Sequence, residues 1–177
     1  QLMNFFLLFI SALLVNIPNY YPELYFVAWI GFLPLLYVSR RVEGSGFKEG
    51  WSFGFWLTAF SSLFVYQSVE LFTGLNFWII AFFQVLLYLI ISVIYGFWFK
   101  IFLKLTEDQF SPLYFSLSWL LLSFVRYQLL YFYPAGYLAV TQAEFSHFIQ
   151  LAELGGFWLL SFILLLVNAY LFQLIFE

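Results

Sequence analysis

The chain has 177 residues, 65% of them hydrophobic and 27% aromatic, with only 8% charged and a net charge of −3. A soluble domain carries roughly 25% charged residues, so this chain cannot clothe itself in a solvated surface, and its natural solvent is a bilayer. The lack of a basic stripe leaves nucleic-acid binding without support, and the absence of Cys together with a single His, His147, rules out disulfides, thiolate chemistry and a His-based metal cluster.

A membrane-spanning helix needs ~20 mainly apolar residues. The first apolar run lacks the basic n-region and small-residue cleavage site of a signal peptide, so it reads as a first span over about 2–17. Pro18 and Pro22 make the following segment a turn, because each proline removes a backbone donor and biases its predecessor away from helix. A second span covers about 24–39 and stops at Arg40 and Arg41. After a loop holding Gly44 and Gly46, a third runs over about 47–72 and turns at 73–76. The fourth occupies about 77–103. Pro112 suits the first turn of a fifth, which reaches about 132 and is broken by Pro134 and Gly136. The sixth covers about 148–176, with Gly155 and Gly156 inside it. The runs are too long for tilted barrel strands and show no sustained period of two. The reading is one all-α unit over 1–177, a polytopic bundle of about six transmembrane helices.

Direction follows from charge. Five of the six basic residues fall in two gaps: Arg40, Arg41 and Lys48 after the second span, Lys100 and Lys104 at the end of the fourth. Basic loops stay in the cytoplasm, which puts both termini inside and the loops near 18–23, 73–76 and 134–147 outside.

The sixth cation, Arg126, lies within the fifth span. An ionisable side chain at mid-membrane costs roughly 2.5–3.5 kcal/mol on insertion scales, so it needs a reason. It is ~21 Å beyond Pro112 at 1.5 Å per residue, in the outer half of the bilayer. There it reads either as an interfacial anchor snorkelling to lipid phosphate or as a clamp for one phosphate or carboxylate, which a planar guanidinium binds bidentately. Glu70 and Glu144 are possible internal partners. Tyr66 and Glu70 share a helix face with Gln67 beside them, as a polar wall to an outward cleft or as an ordinary helix end in an aromatic belt. Gly54, Gly96, Gly155 and Gly156 suit close helix packing, and the seven Trp residues suit interface belts. These residues alone provide no catalytic constellation.

Several segments carry a resemblance. Gln150, Ala152 and Gly155, then Ser161-Phe162 and Val167-Asn168-Ala169, are similar to the Q-x-A-x-x-G…S-F…V-N-A segment of apolipoprotein N-acyltransferases. Trp119 and Arg126, then Tyr133-Pro134 and Thr141-Gln142, are similar to the family's W…E-x-x-R-G…F-P-W…S-Q. Gly50 to Gly54 with Val65-Tyr66-Gln67-Ser68 resembles its G-x-x-x-G…W-V-Y-x-S, and Pro18 with Leu33-Pro34-Leu35 resembles the hairpin of its first two spans. The order is kept over nearly the whole chain. Ser123, Tyr127, Ala135 and Ala139-Val140 depart from the family residues at the corresponding places, all around the outer loop.

The resemblance implies the N-terminal membrane region of an enzyme of the bacterial inner membrane. In that family a nitrilase-like domain on the outer face uses a Glu-Lys-Cys triad to take an acyl chain from phospholipid as a thioester. It then passes the chain to the N-terminal amine of a lipoprotein substrate, without a cofactor. No Cys occurs among these 177 residues, so the nitrilase-like domain is expected in a longer chain or in trans, or else the family relation no longer includes catalysis. The expected role here is to anchor that domain and to form the lipid gateway, with Arg126 on the donor phosphate and Tyr66, Gln67, Glu70 and Gln142 lining the route. A non-catalytic anchor that docks a separate soluble enzyme, such as a polyprenol-phosphate glycosyltransferase, is the alternative. A small transporter fits less well, lacking paired carboxylates at mid-membrane depth.

Overall fold

A computed structural model describes residues 1–107, 109–129 and 137–176. No strand forms among them. Eight α-helices run α1 Leu2–Asn16, α2 Leu33–Ser39, α3 Phe47–Ser61, α4 Leu63–Thr73, α5 Phe77–Leu105, α6 Pro112–Leu129, α7 Ser146–Ile149 and α8 Ala152–Phe176, with 3-10 turns at Ile17–Asn19, Pro22–Trp29 and Leu138–Gln142. The break expected at Pro134 and Gly136 and the last residues of the fifth span lie outside the described residues.

Six of the helices close a ring. Neighbours pack in the order α1, α3, α5, α6, α8, α2 and back to α1, while α4 and α7 stand outside it. Each contributes to one aromatic-rich core, including Leu8, Phe32, Phe53, Tyr95, Trp119 and Leu164. Phe32 is central: its ring meets Trp119 edge-on at 4.8 Å and Phe115 at 5.8 Å, the T-shaped geometry that aromatic quadrupoles favour. Trp119 in turn meets Trp98 at 5.0 Å and 89°. Both Trp residues are buried, so they serve the core rather than an interface belt.

The outer surface of the ring is apolar. On α5 alone Phe82, Phe83, Ile90, Phe97 and Ile101 are exposed; so continuous an apolar face needs lipid around it. Among the described residues, four helical stretches are long and apolar enough to cross a membrane: Leu2–Asn19, Pro22–Ser39, Phe77–Leu105 and Ala152–Phe176.

Three stretches read as continuous helices are broken, the sixth span among them: it is interrupted at 150–151 between α7 and α8 and kinked at Gly155 and Gly156, whose backbone leaves the helical region. The second span consists of the 3-10 turn Pro22–Trp29, a bend and then the short α2. Buried irregular backbone is tolerated at membrane depth only where protein satisfies its polar groups, and here distant side chains do so. Ser11 Oγ donates to the Gly31 carbonyl at 2.6 Å. Asn168 Oδ1 accepts from Phe32 N–H at 3.0 Å, and its Nδ2 donates to the Ala28 and Leu164 carbonyls at 3.0 and 2.9 Å. The stretch 47–72 divides at Ser62 into α3 and α4. Ser61 and Ser62 both direct their hydroxyls to the Thr58 carbonyl, the local side-chain bonding that bends helices. Tyr20, in the turn after α1, donates its hydroxyl to the Phe60 carbonyl just before this break.

At the α3–α5 contact the two backbones approach each other directly. A Cβ on Gly50 would lie 2.6 Å from the Tyr95 carbonyl oxygen, and one on Gly54 would lie 2.5 Å from Tyr95 Cβ. Small residues at this spacing let two backbones approach, and Tyr95 fills the space they leave.

Candidate functional site

The two ends of the ring differ in charge. Arg40, at the C-terminus of α2, shares one cleft with Lys100 and Lys104 of α5, so the basic gaps of the sequence meet in space. Arg41 adds its guanidinium over the Tyr37 ring at 4.3 Å. Arg126 lies toward the opposite end, near the C-terminus of α6.

Arg126 is 7% exposed. Burying a guanidinium requires partners for its fixed fork of donors. Nη1 donates to Tyr95 Oη at 3.3 Å, and the guanidinium carbon stands 5.1 Å from the centre of the Tyr137 ring, within cation–π range. Tyr95 is held from behind by Gly54 and flanked by Trp119, whose ring centre is 6.1 Å away. Trp119 and Arg126 are two helical turns apart and share a face of α6. The glycines of α3 thus set the ring of Tyr95, and Tyr95 sets one edge of Arg126. Sequence reasoning left Tyr95 unassigned, although a Tyr in a long apolar helix, beside a partner helix that carries Gly50 and Gly54, is the signal that could have singled it out. Tyr137 and Trp119 also line a small cleft with Asn16, Asn19 and Thr141.

Gln142 is fully buried. Its Oε1 accepts from Trp29 Nε1 at 2.8 Å, and its Nε2 donates to the Tyr25 carbonyl at 3.1 Å and to Thr141 Oγ1 at 2.9 Å. It therefore ties the 3-10 turn Leu138–Gln142 to the turn Pro22–Trp29, two segments on the Arg126 side of the ring. Tyr25 stacks on Phe145 at 5.1 Å and Trp29 meets Phe148 at 5.0 Å, which completes a small aromatic cap.

Tyr66, Gln67 and Glu70 occupy α4, which buries none of its side chains and packs on α5. Gln67 and Glu70 are exposed and Tyr66 is half-buried, its ring edge-on to Phe77 at 5.2 Å. The structure thus splits the candidate residues into three settings: a buried cation on α6, an exposed polar helix outside the ring, and a buried amide that fastens two turns.

The sequence model of the family described as apolipoprotein N-acyltransferase N-terminal domain matches residues 11–170. The chain belongs to that family. The matched region runs from Ser11 on α1 to Tyr170 on α8 and takes in Arg126, Gln142 and Asn168 as well as the broken second span. With its apolar outer face and its four span-length helices, this N-acyltransferase domain is a membrane protein, the membrane portion of an enzyme of that type. None of the curated proteins matches the chain.

Proposed function

We propose that this domain is the lipid-handling half of an apolipoprotein N-acyltransferase of the bacterial inner membrane. In this reading the chain crosses the membrane six times, with both termini and the Arg40, Lys100 and Lys104 end in the cytoplasm. The Arg126 end then faces the outer leaflet, where a nitrilase-like catalytic domain moves an acyl chain from phospholipid to the N-terminal amine of a lipoprotein. Both donor and acceptor stay anchored in the bilayer, so a catalytic domain fixed above the outer helix ends meets them without extracting either.

The observation that carries this reading is the buried guanidinium of Arg126 at the end of the ring away from the other cations. A cation retained in an apolar run at a cost of a few kcal/mol marks a functional position by default, and its planar fork suits a donor phosphate. Tyr137 covers it and defines the side from which a headgroup approaches. Tyr66, Gln67 and Glu70 line the route on α4, and Gln142 fixes the turn that carries Tyr137.

The test is donor use in the intact acyltransferase that contains this domain. Arg126→Ala should raise the KM for the phospholipid donor about tenfold or more, as loss of one charged hydrogen-bonding partner predicts. Insertion and the lipoprotein KM should stay unchanged. Unaltered donor kinetics in reconstituted lipid would remove Arg126 from the site.

A further inference from the structure

We propose that the domain holds an acidic phospholipid of the cytoplasmic leaflet, with its phosphate in the basic cleft between α2 and α5 and an acyl chain in the groove between α5 and α6. This rests on the membrane reading but not on acyl transfer, because the cleft lies at the end of the ring opposite Arg126.

The cleft has a volume of about 520 Å³ and draws its cations from separate elements, Arg40 from the end of α2 and Lys100 and Lys104 from the last two turns of α5. Arg40 is steadied over the Phe110 ring at 5.6 Å. Glu107 is the one acid among the described residues that line it, and Asp108 follows it in sequence outside the described residues. The ordinary explanation for lysines at this place is that they cap the last carbonyls of α5. Those of Phe102 and Leu103 accept instead from Thr106, and among the described residues neither ammonium is engaged by a carboxylate or a carbonyl. Both lysines are exposed and three rotatable donors on each are available for a phosphate.

The second observation is the neighbouring groove. It is about 410 Å³, lined by Ile94, Trp98 and Ile101 of α5 with Leu117, Leu121 and Val125 of α6, and it reaches Leu105 beside Lys104. Leu105, which lines the groove, lies between Lys104 and Thr106, which line the cleft, so the two spaces are neighbours along the last turn of α5. A cationic pocket alone would suit any anion. A cationic pocket beside a lipid-facing apolar trough suits an anion that carries a hydrocarbon chain. Basic pockets between helices on the cytoplasmic side recognise acidic headgroups in this way.

Native mass spectrometry of the purified full-length protein, titrated with dioleoyl phosphatidylglycerol and dioleoyl phosphatidylcholine, separates charge from chain because the chains are identical. The acidic lipid should bind about tenfold tighter or more, as basic residues near a headgroup favour it. K100Q/K104Q should bring the two lipids to parity, and K100R/K104R should restore the preference, which a merely unfolded variant could not do. Leu117→Trp, which fills the groove, should weaken both lipids alike. Arg126→Ala should leave the preference intact, so a failed outer-leaflet assignment does not carry this one down. Equal binding of the two lipids by the natural protein, or a preference that survives K100Q/K104Q, overturns the proposal. So does displacement of the lipid by millimolar inorganic phosphate, which would mark a site for free anions.

Discussion

Asn168 of α8 accepts a hydrogen bond from the backbone N–H of Phe32, 136 residues earlier in the chain, at 3.0 Å. Through the same amide it donates to the Ala28 carbonyl. One side chain thus takes the place of the helix at the point where the second span unwinds. Replacing Asn168 with Leu leaves the buried Phe32 N–H without its partner, at about 1–3 kcal/mol of desolvation, and takes from the Ala28 carbonyl one of its donors, the Gly31 N–H remaining at 3.4 Å. Asn168→Leu should therefore lower stability by about 2–4 kcal/mol, measured by denaturant titration in micelles or bicelles. Ser11→Ala should cost less, because Ser11 satisfies the Gly31 carbonyl alone.

The glycines of α3 give a second prediction. With a Cβ on Gly54 only 2.5 Å from Tyr95 Cβ, Gly54→Leu forces α3 and α5 apart, and overpacking of this kind costs about 1–3 kcal/mol. Moving Tyr95 also moves the hydroxyl that holds Arg126, so the variant should lose donor affinity along with stability. Tyr95→Phe separates the two effects. It keeps the ring, removes the acceptor, and should raise the donor KM severalfold with a stability loss of about 1–2 kcal/mol.

Gln142 supports a third. Its amide joins Trp29 Nε1 to the Tyr25 carbonyl, so Gln142→Leu and Trp29→Phe remove ends of one interaction. A double-mutant cycle should give a coupling of about 0.5–1.5 kcal/mol, whereas uncoupled sites would add to within about 0.3–0.5 kcal/mol. The same pair should shift the tryptophan emission only when Trp29 is present.

How legible these features are in the sequence depends on their range. Helices α1 and α5 follow from apolar runs bounded by Pro18 and by Asn76, whose side chain accepts from Trp78 N–H at the start of α5. Arg126 stands out because a charge in an apolar run needs an explanation. The unwinding of residues 24–32 does not, because those residues form an unbroken apolar pattern and their backbone is satisfied by Ser11 and Asn168 from elsewhere. Trp98 and Trp119 carry the composition of an interface belt, and only the closure of the ring puts them in the core. Gln142 reads as an outer polar residue until its three hydrogen bonds are seen. The split at Ser62 had a local cue, since Thr58, Ser61 and Ser62 crowd hydroxyls into one turn.

In the proposed orientation the Arg40–Lys104 end of the ring faces the cytoplasm and the Arg126 end faces outward. The natural sequence has no Cys, so single-Cys variants at exposed positions give unambiguous labelling. In intact cells whose outer membrane has been made permeable, Leu75→Cys should react with a membrane-impermeant maleimide, and Glu43→Cys should react only after the inner membrane is opened. Labelling of Glu43→Cys in intact cells, with protection of Leu75→Cys, would reverse the orientation and contradict the account.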